Sequence, residues 1–465
     1  MLASAIPSAL REEVERSTAC VIAAEHARGG GGASRQGAEV TLRDAGGAER
    51  RCYLAWDVRA SDPLRRAFFD RETAILQALS GPLAEAGVRA APLIGSFPSH
   101  LALLSAFVGG NDRFPHADDK VAVAQDFVGQ LAVLHRIDAG HPALAALGDP
   151  AEPPSVRIAA RVAELQGLNL AHGSDPIHQL ALAWLAANVP PDRGPSVVLH
   201  GDAGPGNFLF EGSRVTALVD WEFAHLGDPM EDLAQIWVRS LIQPFIPMRD
   251  VFDAYEAASG TPVDLARIKY HRLYFQLGFM VAGQAAAANA DARLGATGTA
   301  MLYGTMHRRV VVRAVAELAG IALVDPVLPE CPPDWTDRGF AIALDDLRDE
   351  IVPAASTQRA AVRAKELARM VKFWRKRASH GAAHDAAERA EIAQVLGQSH
   401  ATLFEARSAL AQAISEAVAL PVALQLCHNR MARETAIMAD AMGALATTWY
   451  DDVAEGQGQR TGTGQ

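Results

Sequence analysis

Cysteine is scarce and scattered in this sequence: Cys20, Cys52, Cys331 and Cys427 stand far apart, with no Cys-x-x-Cys pair. That spacing argues against a zinc ribbon or a dense disulfide framework and fits a reducing compartment. Long apolar runs are also lacking. The most apolar stretches, LALLSAF at 101–107 and FQLGFMVAG at 275–283, fall short of the ~20 residues a membrane-spanning helix needs. The start, MLASAIPSALREEVER, has no basic segment ahead of an apolar run, so no secretion signal is read there and a cytoplasmic protein without membrane association is expected. An excess of positive charge is missing as well: 43 Lys and Arg face 54 Asp and Glu, a net −11. From residue 336 onward the chain carries 15 basic and 16 acidic residues, so ten of the eleven surplus negative charges lie in the first 335. Nucleic acid is a poor partner for such a chain.

What the sequence does have is ample core material, 49% hydrophobic over 465 residues, enough for two or three structural units. Between residues 18 and 60, TACVIAAEH, EVTLRD and ERRCYLAWDV alternate around a glycine run and an AGG turn, which predicts three antiparallel strands. From Pro63, the apolar residues Phe68, Ile75, Leu76 and Leu79 recur at helical spacing until Gly81-Pro82 breaks the run. APLIGSF and HLALLSAFV read as strands four and five. A small sheet with one helix is thus expected over 1–108. A mainly helical region over 109–325 follows, interrupted by SVVLHGDAGPGNFLFEGSRVTALVDWE, whose short β-prone runs are separated by Gly, Pro and Asn. The proline-rich VDPVLPECPPDW marks a linker at 326–335. An all-helical region is expected over 336–450, and a polar, Gly-rich disordered tail over 451–465.

The strongest chemical signal is His200-Gly201-Asp202, then Asn207, then Asp220-Trp221-Glu222 on the next β-prone run. A loop after Leu199 would present Asp202, and a tight hairpin would bring Asp220 alongside. Phosphoryl transfer needs a carboxylate to orient and deprotonate a hydroxyl, and an amide and a carboxylate oxygen to hold magnesium on phosphates. HGDAGPGNFLF, VDWEFAHLGDPMEDLA and LAVLHRID at 131–138 resemble the aminoglycoside phosphotransferase and choline kinase superfamily. GGASRQ at 31–36, GDPMEDLA at 227–234 and YEAASGTPVD at 255–264 resemble its bacterial subgroup associated with acyl-CoA dehydrogenases. The resemblance covers roughly residues 15–325. It implies an α+β, protein-kinase-like bilobal fold, with a small antiparallel-sheet N-lobe and a mainly helical C-lobe, followed here by an all-α bundle. It implies ATP and Mg2+ as cofactors, Asp202 as catalytic base, Asn207 and Asp220 as metal ligands, and His200 as a support of the loop. Glu222 is left as either a second acidic ligand or a salt-bridge partner, and His135 and His225 as satisfied structural histidines.

Gly31, Gly32 and Ser34 would form a phosphate-facing turn between strands one and two. Glu72 would be the helix glutamate that pairs with a strand-three lysine in kinases, but no lysine precedes Lys120. Arg51 or Arg59 could serve instead, since an arginine fork suits phosphate. The basic residues between Arg363 and Arg377 read as a solvated helix face. The resemblance suggests a small-molecule kinase acting on a hydroxyl, with a hydroxyacyl-CoA or related acid as acceptor. The alternatives are an aminoglycoside- or choline-type acceptor, or a pseudokinase that binds nucleotide without turnover. The C-terminal helices are candidates for association between copies or for presenting substrate.

Overall fold

The computed structural model describes residues 6–27, 35–57, 63–289, 298–332 and 335–453. By compactness they group into two units, one of 1–154, 192–268 and 451–465, the other of 155–191 and 269–450.

In the first unit, β1 (Val21–Ala27), β2 (Gln36–Arg43), β3 (Glu49–Trp56), β4 (Leu93–Phe97) and β5 (Ala102–Ala106) form an antiparallel sheet in the order β1-β2-β3-β5-β4. Alternation dictates its inner face: Ala38, Val40 and Leu42 of β2 are buried, as are Cys52, Leu54 and Trp56 of β3. Helix α1 (Ser8–Thr18) closes that core with Leu10 and Val14. Each such leucine contributes about 1.5–3 kcal/mol when fully withdrawn from water. Helix α2 (Pro63–Ser80) runs where the spacing predicts, with Phe69, Ile75, Leu76 and Leu79 buried and Phe68 packed against Phe223 at 5.0 Å between ring centroids.

Helix α3 (Lys120–Leu134) is capped by Asp119, whose carboxylate accepts from Ala122 N at 3.0 Å. Beyond it come two small antiparallel pairs. One joins β6 (Val197–Leu199) to β9 (His225–Gly227), and the other joins β7 (Phe208–Glu211) to β8 (Arg214–Leu218). Helices α6 (Met230–Ser240) and α7 (Met248–Ser259) follow.

The second unit is all helix: α4 (Pro154–Ala171), α5 (Pro176–Ala187), most of α8 (Leu265–Asn289), α9 (Gly298–Ala319), α10 (Asp337–Asp346), α11 (Gln358–Leu396), α12 (Leu403–Glu416) and α13 (Leu420–Met442). One apolar core joins Leu180 and Leu185 of α5, Leu273 of α8, Val311 of α9, and Leu424 and Met431 of α13. The helices expected to follow a linker therefore share a core with helices that precede it. Part of that proline-rich stretch is tied down. Gln425 exchanges side-chain hydrogen bonds with the backbone of Val324, at 3.1 and 2.6 Å, and His428 meets Asp325 at 2.8 Å. Arg369, Arg375 and Arg377 of the basic segment pair with Glu366, Asp337 and Asp385. No described helix is long and apolar enough to cross a membrane. Most of the expected tail lies outside the described residues.

Candidate active site

The loop between β6 and β7 is held from below by one carboxylate. Asp232, fully buried on α6, accepts from His200 N and Gly201 N, both at 2.9 Å, and meets His135 Nε2 at 3.0 Å. His135 Nδ1 in turn meets the Tyr255 hydroxyl at 2.8 Å. Burial alone would raise the Asp232 pKa, but hydrogen bonding and charge from His135 and His200 outweigh it and hold the carboxyl below its ordinary range. Gln235 Nε2 donates to Gly201 O at 3.0 Å. Gly201 has φ +78°, and a Cβ there would lie 2.0 Å from Phe223 O, so the turn requires glycine. His200 is buried, packs its ring at a tilt against Trp221 with centroids 4.7 Å apart, and bonds Val219 O at 3.0 Å. It supports the loop rather than facing a substrate.

Above this support, Asn207 Nδ2 donates to Asp202 O at 2.8 Å and to Asp202 Oδ2 at 2.6 Å. Val219 N donates to Asn207 O at 3.0 Å, which ties the base of the hairpin to this loop and sets Asp220 beside it. Asp220 has φ +67°, one of three described non-glycine residues with positive φ. That left-handed conformation costs on the order of 1 kcal/mol and is typical of functional positions. Crowding by the surrounding protein and the Asp202 charge both raise the Asp220 pKa. Because Asp220 is open to water, the neighbouring charge is the firmer of the two causes.

The residue that takes the lysine's place beside Glu72 is Arg35, just ahead of β2. Its guanidinium pairs with Glu72 and stands 3.6 Å from Glu222. Arg51 points elsewhere, bonded to Glu39 at 2.8 Å and lying over the Phe107 ring at 3.9 Å. Arg59, Gly31, Gly32 and Ser34 lie outside the described residues. Glu222 is a salt-bridge partner, 3.1 Å from Arg65, which also pairs with Asp57. Burial first, and the Asp220 and Glu222 charges with it, outweigh the pull of Arg35 and leave Glu72 raised to about 7. Arg35 is raised: burial works against its charge, but Glu72, Glu222 and Asp220 outweigh that. The two partners shift the same way because burial dominates at Glu72, whereas at Arg35 three carboxylates outweigh it.

A second cation closes the site. Arg239 of α6 donates to Asp202 Oδ2 at 2.7 Å, to Pro205 O at 2.8 Å and to Asn207 Oδ1 at 3.3 Å. Formally, Asp57, Glu72, Asp202, Asp220 and Glu222 face Arg35, Arg65 and Arg239, a surplus of two negative charges. Hard oxygen donors with that surplus suit a divalent magnesium ion that takes its remaining ligands from water and phosphate. Among the described residues, no three His, Cys, Asp or Glu converge in an all-protein metal site. Sequence reasoning missed Arg35 and Arg239 because neither stands in the segment where a kinase carries its lysine. The one signal for Arg35 was its place three residues after the glycine run that ends at Gly32.

A five-stranded antiparallel sheet with one crossing helix, followed by a loop and hairpin that gather Asp202, Asn207 and Asp220, defines the kinase-like class of phosphotransferase folds. The chain belongs to the phosphotransferase enzyme family, whose sequence profile matches residues 31–271. It is similar to acyl-CoA dehydrogenase family member 11 of Gallus gallus, 39% identical over 66 residues, which is 14% of this chain and 8% of that protein. The Homo sapiens protein of that name is 32% identical over 94 residues, 20% of this chain and 12% of its own length. The chain therefore matches only a small part of these curated relatives. A crystal structure of a putative aminoglycoside phosphotransferase from Ralstonia eutropha matches with TM-score 0.52 at 17% identity, over 67% of this chain and 98% of that one. At that identity the likeness concerns the fold.

Proposed function

We propose that this protein transfers the γ-phosphoryl group of ATP to a hydroxyl of a small molecule, with Asp202 as the base that accepts the hydroxyl proton. The observation that carries this reading is the grouping of Asp202, Asn207 and Asp220 on a loop and hairpin locked from below by Asp232. Asn207 Oδ1 and the Asp220 carboxylate are the oxygens that would hold magnesium, which when bound offsets charge on the phosphates. Arg35, held by Glu72 and Glu222, is the cation available to the phosphates, and its planar fork suits bidentate contact. Arg239 occupies Asp202 Oδ2, so the arriving hydroxyl must take over that oxygen before Asp202 can accept its proton.

For the acceptor, the partial similarity to acyl-CoA dehydrogenase family member 11 supports a hydroxylated acyl thioester or related acid over a cationic aminoglycoside or choline. The Arg239 clamp on Asp202 is the one observation that favours a nucleotide-binding module without turnover. ADP release, measured with Mg-ATP and a panel of 3- and 4-hydroxyacyl-CoAs beside aminoglycosides, tests both. Asp202→Asn is expected to abolish turnover, by a factor of about a thousand or more, while the thermal shift on adding Mg-ATP persists. No thermal shift at millimolar Mg-ATP would sink the kinase reading. A shift without ADP release on any acceptor would favour the silent module.

A further inference from the structure

The helical unit contains a cavity of about 450 Å³ between α9, α11 and α13, lined by no residue of the candidate active site. Five guanidinium groups line it, those of Arg308, Arg377, Arg407, Arg430 and Arg433. Each already holds a carboxylate. Arg430 meets Asp175 at 2.9 Å and Glu434 at 2.8 Å, Arg407 grips Glu388 with two bonds of 2.7 Å, Arg308 reaches Glu434 at 3.2 Å, Arg377 meets Asp385, and Arg433 meets Glu391. These pairs neutralise the charges but leave donors over. Arg433 is almost wholly buried, yet its Nε and Nη1 have no hydrogen-bond acceptor, and neither does Arg308 Nε. Buried donors of this kind call for an acceptor. Beside them His384 is buried and kept neutral, first by its burial and then by the charges of His380, Arg433 and Arg377. Met301, Phe373, Ile437 and Met438 add apolar surface to the same lining. A second cavity of about 560 Å³ shares Met301, Arg308 and Arg407 and continues toward Phe279, Met280 and Phe404. Each cavity has the volume of a small-molecule site.

We propose that the helical unit binds a small organic anion here, its carboxylate or phosphate head against Arg433 and Arg308 and its short apolar body along Met301, Phe373 and Met438. Arginine forks serve both heads, because each offers paired oxygens. The apolar lining excludes a bare inorganic ion as the best ligand. Occupancy does not depend on phosphoryl transfer, so this site stands or falls apart from the kinase reading.

The test uses the full chain without nucleotide, titrated by calorimetry and thermal shift with inorganic phosphate, octanoate and octyl phosphate. Saturable stabilisation by an octyl compound, stronger than by inorganic phosphate, is expected, and the two octyl arms decide which head is preferred. Arg433→Gln should weaken binding by about tenfold or more. Because that change could unsettle the fold, Met438→Trp provides a second route: it adds bulk to the apolar lining, removes no ion-pairing side chain, and should abolish the octyl response, its own ligand-free melting temperature serving as the check that it folds. No response to any probe at millimolar concentration overturns the proposal. So does an octyl response that survives both substitutions, or a response to phosphate that the octyl chain does not improve.

Discussion

Arg35 and Glu72 set the electrostatics of the active site, and each yields a separable test. Arg35→Ala removes the only described guanidinium that pairs with Glu72, and is expected to raise the KM for ATP by about ten- to a hundredfold, the scale of losing a bidentate charge-assisted contact. Arg35→Lys should recover part of that loss, whereas a residue that merely filled space would not be rescued by charge. Glu72 has a native pKa of about 7 against ~4.3 for an exposed glutamate. Between these values the native state binds more protons than the unfolded chain, so this group makes stability fall as pH rises from ~4.3 through 7. Glu72→Gln should flatten the urea midpoint between pH 5 and pH 8. Equal slopes in both proteins would mean that Glu72 is not the source. Of this group, Asp202, Asn207 and Asp220 stand at fixed spacings in one short segment and could be singled out there, whereas Glu72 was singled out only by its place on the helix after the third strand. Arg35 could not be assigned that way, because only the folded chain brings its side chain to Glu72.

Among the elements, the loop from His200 to Asn207 depends on α6 more than on its own residues. Asp232→Ala would leave His200 N and Gly201 N without their acceptor and His135 Nε2 without its partner. Removing one member of such a buried set costs about 3–5 kcal/mol, so a drop of that size in urea-measured stability is expected, with kcat reduced more than KM. Unchanged kcat in a folded Asp232→Ala protein would show that the loop holds its shape unaided. The five strands and α2 follow directly from period-two and period-3.6 patterning. Helix α1 escaped it because SALREEVERST buries only Leu10 and Val14, too few apolar positions to stand out against its charges.

For the whole molecule, the grouping into two units was the least legible feature, since it rests on contacts between segments far apart in the chain. The sequence divides naturally at the proline-rich stretch, yet Leu424, Cys427 and Met431 lie in one core with Val311, Val315 and Leu180. A chain ended at residue 335 should therefore expose that core. The expected result is self-association on size exclusion and strong binding of a hydrophobic dye, where an independent appendage would leave a monodisperse, dye-silent protein. The same interleaving also has a consequence in time. On the ribosome, α4 and α5 emerge some 240 residues ahead of the α13 side chains that complete their core, a delay on the order of ten to fifty seconds at typical elongation rates. During that interval Ile177, Leu180 and Leu185 have no finished core to enter. The birth of this protein thus includes a waiting period that its finished form does not reveal.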